Sequence, residues 1–248
     1  NNANAVKFQI FLPEELAVSS HKNFKLYQKL QFSNSEWQKL FKIGKKLGMK
    51  IFADVFGLKS AKLALKLRVD GFKIHSSDIE NFHLLDFLSK TKKPILLSTS
   101  GSEINEVENA IRVLGKVSKE IVLMHGFQNY PTKLEDLNLC RISQLKKKFE
   151  VPLGIMDHVS GESKFAQIIP LIAIGMGVTV IEKHITLDRS LKGIDYFSSL
   201  NPKEFAEMTS LIKSTQKSLG NGSFKILGNE LEYRKIHKKS PIASKIIN

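Results

Sequence analysis

Two histidines, His158 and His184, stand at the ends of consecutive apolar runs, residues 151–157 and 178–184. Adjacent strands of a sheet lie about 5 Å apart, so both imidazoles can reach one ion. Asp157 and Glu182 stand beside them, as further ligands or as partners that orient the rings. Two nitrogen donors with open positions suit Mn²⁺, Mg²⁺ or another divalent ion completed by water and substrate. The competing account is two histidines hydrogen-bonded at strand ends with no ion. Lys7 and Lys73 pose a second question, because each is flanked by apolar residues. A lysine inside a buried strand is costly unless it meets an anion. With Ser76 and Ser98 the two ammoniums can form a cradle for a carboxylate and a phosphate. Alternatively both stems snorkel to solvent at the strand end.

Other reactive side chains carry less. His75 and His125 read as satisfied histidines at a rim. Cys140 falls on a helical apolar stripe and is expected in the core. Trp37 reads as helix packing, and Lys146-Lys147-Lys148 as a solvated helix face. The tail from Lys235 to Lys245 is basic but has no aromatic interleaving for base stacking.

The elements that must position these groups alternate. Seven short apolar runs start near residues 5, 49, 69, 94, 120, 151 and 178. Their nearly continuous apolar character predicts strands buried on both faces of a parallel sheet. Helical patterns fall between them, near 35–47, 59–68, 78–91, 102–114, 134–149, 162–176 and 202–219. Ser35 and Ser102 are expected to cap two of these, with Trp37, Leu40, Phe41, Ile43 and Leu47 inward on the first and Ile104, Val107, Ile111 and Leu114 inward on another. A repeated βα unit gives a doubly wound sheet or a barrel. No Gly-x-Gly-x-x-Gly turn follows any strand, so no dinucleotide fingerprint is present. Polar, chemically capable residues end nearly every strand, including Lys7 and Gln9, Asp54, Ser98 and Thr99, and the two histidines. That convergence predicts an α/β (β/α)8 TIM barrel. The strand count is seven, so the first βα unit of such a barrel is expected to be missing from this chain.

Length and composition agree. The 248 residues, 42% apolar, can bury one large core, and no window reaches the eighteen apolar residues of a membrane span. Asn1 to Ala5 has no signal-peptide pattern, and the absence of an initiating Met predicts a cut or processed chain. One cysteine excludes an internal disulfide and makes the cytoplasm the expected compartment. The net charge of +14 allows nucleic acid, acidic surfaces or anionic substrates, or a lysine-rich solvated surface.

The ordered set Ala5-Val-Lys-Phe-Gln9, Gly71-Phe-Lys-Ile-His-Ser76, Lys93-Pro-Ile-Leu-Leu-Ser-Thr99, Asn129-Tyr-Pro-Thr132, Asp157-His158 and Val180-Ile-Glu-Lys-His-Ile-Thr-Leu-Asp188 resembles the sialic acid synthase (N-acetylneuraminate synthase) family. Gly193-Ile-Asp195 and Ser199-Leu-Asn-Pro202 continue the resemblance, which covers almost the whole chain. It implies a barrel that condenses phosphoenolpyruvate with an N-acylated hexose such as N-acetylmannosamine, giving a nine-carbon 2-keto acid and phosphate. It further implies a divalent ion, Mn²⁺ or Mg²⁺, on His158 and His184. Lys7, Lys73, Ser76 and Ser98 match residues that hold phosphoenolpyruvate. Gln9, Tyr130 and Asp195 match positions that face the sugar, and Glu182 lies beside the metal. Lys73, Glu182, Asp195 and Tyr130 are the expected catalytic set.

The sequence departs from the family at Asp78, where Glu is usual, and at Gln128, where Asn or Ser is usual. Met156 replaces a Ser, and Asp54-Val55 replaces Ser/Thr-Pro. Asp78 and Gln128 stay in the expected substrate-binding set. The resemblance places a barrel domain at 1–220 and a linker at 221–248, leading to an antifreeze-like domain beyond Asn248 that a homodimer would share between subunits. Two alternatives remain at this stage: another phosphoenolpyruvate-dependent keto-sugar-acid synthase, and a non-catalytic anion-binding barrel. Neither a nucleic acid nor a membrane is an expected partner.

Overall fold

The computed structural model describes residues 2–115 and 120–242. Its framework is one parallel sheet: β1 (Ala5–Ile10), β2 (Lys50–Val55), β3 (Gly71–Ile74), β4 (Ile95–Ser98), β5 (Ile121–His125), β6 (Leu153–Met156) and β7 (Val180–Glu182). The strands pair in chain order, so β1 and β7 are outermost in the hydrogen-bonded sequence. The sheet is nevertheless strongly curled, because Lys7 on β1 and Glu182 on β7 reach within 3.0 Å of each other. The helices are α1 (Pro13–Leu16), α2 (Phe24–Leu30), α3 (Asn34–Lys46), α4 (Leu58–Lys66), α5 (Phe82–Ser89), α6 (Ile104–Leu114), α7 (Cys140–Lys148), α8 (Phe165–Gly175), α9 (Pro202–Leu219) and α10 (Gly228–His237); α3 to α9 bury residues, whereas α2 and α10 bury none. The seven expected strands and the barrel-type α/β order are both present.

Strand alternation divides the molecule into two apolar layers. One set of strand residues, with Phe72, Ile74, Leu97 and Leu123 fully buried, packs against Leu84, Leu88 and Leu114 of the helices. The opposite set forms a second, smaller cluster of Leu96, Met124 and Met156, with Phe52, Val122 and Val180 against it. This inner cluster plugs the lower part of the curled sheet. Gly154 leaves room there for the Met124 side chain, which a Cβ would crowd together with the Val180 carbonyl. Toward the C-terminal strand ends the same inward positions turn polar: Lys7, Asp54, Lys73, Ser98 and Glu182.

Several local expectations are corrected. The cap of α3 is Ser33, whose Oγ accepts from Glu36 N while Glu36 Oε2 accepts from Ser33 N. This reciprocal box outcompetes a cap at Ser35. Ile43 and Leu47 point outward, as the stripe through Trp37 and Phe41 is narrower than expected. Glu103, not Ser102, precedes α6; the Ser102 hydroxyl donates to the Ser100 carbonyl, and Ile104 is exposed. Cys140 opens α7 and is exposed, because the buried stripe of that helix runs through Ile142 and Leu145. Trp37 is core, and Lys146, Lys147 and Lys148 are exposed. Among the described residues no helix is long and apolar enough to cross a membrane.

Candidate functional site

The inward polar residues form a compact ion cluster. Glu182 Oε1 accepts from Lys73 Nζ at 2.7 Å and lies 3.0 Å from Lys7 Nζ. Lys7 Nζ also donates to Asp54 Oδ2 at 3.1 Å. The strand register explains the arrangement: Asp54 is level with Lys73 on the adjoining strand, and Gln9 is level with Asp54. Burial opposes the Lys7 charge, but Glu182 and Asp54 outweigh it and hold the ammonium above its ordinary range. Burial also dominates at Lys73, which has one carboxylate partner and feels Lys7 besides, so its pKa falls. Glu182 is buried too, yet the two ammoniums keep it well below the usual carboxylate range. Two cations and two carboxylates leave the cluster balanced.

Above it lies the imidazole pair. The rings of His158 and His184 have centroids 5.3 Å apart, and Tyr130 packs on His158 at 4.3 Å. His158 Nδ1 stands 3.0 Å from the Phe127 carbonyl, which only accepts, so Nδ1 carries the proton and Nε2 keeps its lone pair. Burial, reinforced by His158 and Lys7, pushes His184 down to about 3. Burial likewise lowers His158, with the Phe127 carbonyl offsetting part of it. Both rings are therefore neutral donors near pH 7. Among the described residues no group of three or more His, Cys, Asp or Glu gathers as a complete ion cage. The chain thus offers two nitrogen ligands, which fits an ion whose other positions go to water and substrate.

A polar chain runs round the mouth. Tyr130 Oη donates to Gln128 Oε1 at 2.6 Å, and Gln128 Nε2 donates to Ser76 Oγ at 3.4 Å. Burial, then the charge of Asp195, pushes the Tyr130 phenol up to about 12. On the far side Asp195 Oδ2 comes within 4.0 Å of His184 Nδ1. Asp195 sits in the left-handed region at φ 57° on the long segment between β7 and α9. That segment is pinned at several points. Arg189 forms a two-pronged pair with Glu204 at 2.7 and 2.9 Å, Ser198 Oγ donates to the His158 carbonyl, and Leu200 N donates to the His184 carbonyl. Both histidine backbones are thereby fixed by the same segment.

The structure thus brings together Lys7, Lys73 and Glu182 below, and Ser76, Gln128, Tyr130, His158, His184 and Asp195 above. Gln9 is exposed on β1 at the rim. The Ser98 hydroxyl is buried without a hydrogen-bond partner. Asp78 engages Ser77 and Asn81 inside its own turn. His125 Nε2 bonds the Leu137 carbonyl, as expected of a satisfied histidine. Two participants were assigned no role from sequence. Asp54 is fully buried as the second partner of Lys7, and Met156 Sδ lies 3.2 Å from Lys73 Nζ. The signal for Asp54 was its place on the inward alternation, in register with Lys73.

Comparison with known proteins agrees with this geometry. The chain is 36% identical over 221 residues to an uncharacterized protein of Methanocaldococcus jannaschii, covering 89% of this chain and 64% of that one, so it spans less than two thirds of that relative. It is 30% identical over 259 residues to N,N'-diacetyllegionaminic acid synthase of Legionella pneumophila, covering 97% of this chain and 71% of that protein. The crystal structure of N-acetylneuraminic acid (sialic acid) synthetase from Leptospira borgpetersenii serovar Hardjo-bovis, in complex with citrate, superposes with a TM-score of 0.86 at 32% identity, covering 96% and 83% of the two chains. The model of the NeuB family matches residues 1–224. This chain belongs to the NeuB family.

Proposed function

We propose that this protein joins phosphoenolpyruvate to an N-acylated hexose such as N-acetylmannosamine, yielding a nine-carbon 2-keto acid and phosphate. One observation carries the reading: a lysine–carboxylate cluster lies directly beneath a pair of neutral imidazoles at the C-terminal strand ends. The relatives named as synthases of legionaminic and sialic acids support it, as does the citrate bound by the sialic acid synthetase. The atoms balance. The enol carbon bonds to the aldehyde carbon, the aldehyde oxygen takes a proton, and water supplies the oxygen that replaces phosphate.

Lys7 and Lys73, with the hydroxyls of Ser76 and Ser98, hold the carboxylate and phosphate charge. Because Asp54 and Glu182 already balance both ammoniums, the incoming anion competes with the shared Glu182 oxygen. Gln9, Gln128, Tyr130 and Asp195 line the mouth and orient the sugar. His158 and His184 would hold Mn²⁺ or Mg²⁺ through imidazole nitrogen. When bound, the ion would supply Lewis-acid polarisation of the aldehyde. A homodimer is part of the reading: Leu187, Leu191 and Ile194, on the segment that carries Asp195, are 89%, 75% and 63% exposed, and a second copy would cover them.

The test is phosphate release by the full natural protein with phosphoenolpyruvate, Mn²⁺ and N-acetylmannosamine, beside a panel of other hexoses and pentoses. Release with the N-acylated hexose is expected, and its loss in His158→Ala. Release only with a pentose would reassign the acceptor. Phosphoenolpyruvate binding by calorimetry without turnover on any sugar would leave an anion-binding barrel and overturn the proposal.

A further inference from the structure

Behind the two histidines lies a buried ion pair that the chemistry above does not use. Lys183 Nζ donates to Asp157 Oδ1 at 2.6 Å, and the two side chains are 1% and 0% exposed. Each partner immediately precedes one of the histidines. The register of β6 and β7 pairs Gly154 with Val180, Ile155 with Ile181 and Met156 with Glu182. Continuing it one step sets Asp157 beside Lys183, and a second step sets His158 beside His184. Alternation then puts the ion pair on the helix-facing side of the strand ends and the imidazoles on the inner side.

Stability does not account for this pair. Burying two charges costs several kcal/mol per ion, and a well-packed apolar pair often does as well or better. Asp157 is also incompletely satisfied: Oδ1 accepts from Val159 N at 3.2 Å as well, but Oδ2 is buried with no hydrogen-bond partner. What the pair does supply is one short contact across two strands at the point where their regular pairing ends. β7 is only three residues long, so its backbone ladder stops at Glu182. Beyond that point the ladder no longer ties His184 to His158; the other restraints are contacts from outside the two strands, Ser198 Oγ and Thr132 N on the His158 carbonyl and Leu200 N on the His184 carbonyl, and none of them bridges the pair directly.

We propose that Asp157–Lys183 is a cross-strand staple whose role is to set the spacing of the two imidazoles for a shared divalent ion. Both are positioning residues, and the proposal rests on the reading of His158 and His184 as ion ligands. A staple of this kind acts on ion affinity through ligand geometry. Groups that orient metal ligands typically change affinity by about 10- to 100-fold when removed.

The experiment is Mn²⁺ titration of the full protein without substrate, followed by electron paramagnetic resonance of the free ion, with thermal melts alongside. Two double variants are compared with the wild type. Asp157→Leu/Lys183→Met removes the contact. Asp157→Asn/Lys183→Gln keeps the possibility of one uncharged hydrogen bond. The expected order of affinity is wild type, then the amide pair weakened several-fold, then the apolar pair weakened at least tenfold, with melting temperatures close to the wild type. Equal affinity in all three folded proteins overturns the staple while leaving the ion site standing. If the apolar pair does not fold, an amide pair that binds as tightly as the wild type overturns it alone. A wild type that binds no Mn²⁺ removes the ion reading itself, and the staple with it.

Discussion

The lysines of this protein fall into two populations that obey opposite rules. Lys7 and Lys73 inside the curled sheet, and Lys183 on its helix-facing side, each meet a carboxylate at 2.6 to 3.1 Å, and none of these side chains is more than 19% exposed. On the outside, residues 22–68 carry twelve Lys and Arg against only Glu36 and Asp54. Twelve minus two leaves ten of the fourteen net positive charges in that stretch, and Asp54 itself belongs to the interior cluster. Most of these outer ammoniums are simply solvated on α2, α3 and α4; Lys59 at 3.4 Å from Glu14 is a loose exception. A charge in water needs no partner, whereas a buried one must be matched before the fold can close. The net charge therefore reports the outer population almost alone. The proposed chemistry draws on the inner one, which contributes nothing to that number.

Lys73 tests this contrast most severely. Changing Lys73→Met keeps the stem and deletes the ammonium between Glu182 and the incoming anion. Loss of a charge-assisted contact to a bound anion costs about 1.5 to 3 kcal/mol, roughly 10- to 100-fold in affinity. The KM for phosphoenolpyruvate is expected to rise by that order, with a smaller change in kcat, because the charge is felt in the bound state as well as the transition state. Steady-state kinetics with phosphoenolpyruvate varied at saturating sugar would show it. A change below threefold would mean that the inner ammonium is as idle as the outer ones, and the contrast would collapse.

The inner population was legible in part. Lys7 and Lys73 stood out because a lysine within an apolar strand needs an explanation, and Glu182 because it ends the last strand. Asp54 did not acquire its role from local pattern, since its partner is chosen by how β1 and β2 register and by the return of β7 toward β1. Closure of a sheet is long-range geometry that periodicity cannot express. Helix ends failed for a nearer reason: Ser33 and Ser35 are both competent caps, and only the reach of Glu36 selects Ser33. The short helices α1 and α2 were missed because α2 buries no residue and α1 buries only Pro13, so no apolar stripe announces them.

Acid sharpens the contrast further, because the fold withholds from buried His184 a proton that the unfolded chain takes up. His184 is held to about 3 in the folded protein by burial first, then by His158 and Lys7. Unfolded, it titrates near 6.5, so between those values the unfolded chain binds the extra proton. Stability must then fall as pH drops through 6.5 toward 3. From pH 7 to pH 5 the loss from this group reaches at most about 2 kcal/mol, at 1.36 kcal/mol per unit. Urea midpoints measured across that range should decline in the wild type, and decline less in His184→Gln, which cannot titrate. Identical slopes in the two proteins would show that His184 is not held neutral by the fold.

The smallest effect belongs to the outer face, and it must be small for the contrast to survive. Lys39 and Lys46 on α3 and Lys62 on α4 are all exposed. A triple change to Gln removes three positive charges without touching the ion cluster. Surface substitutions away from packing and caps usually stay within about 0.5 kcal/mol each. In fact the removal of like charges relieves some repulsion on that face, which favours a neutral or slightly positive change in stability. Melting temperature and KM for phosphoenolpyruvate should both hold, while elution from a cation exchanger moves to lower salt, because that measurement sees only the solvated charges. A substantial rise in KM on this variant would mean that the outer lysines draw the anionic substrate toward the mouth. The two populations would then act as one field, with the inner lysines as its end point.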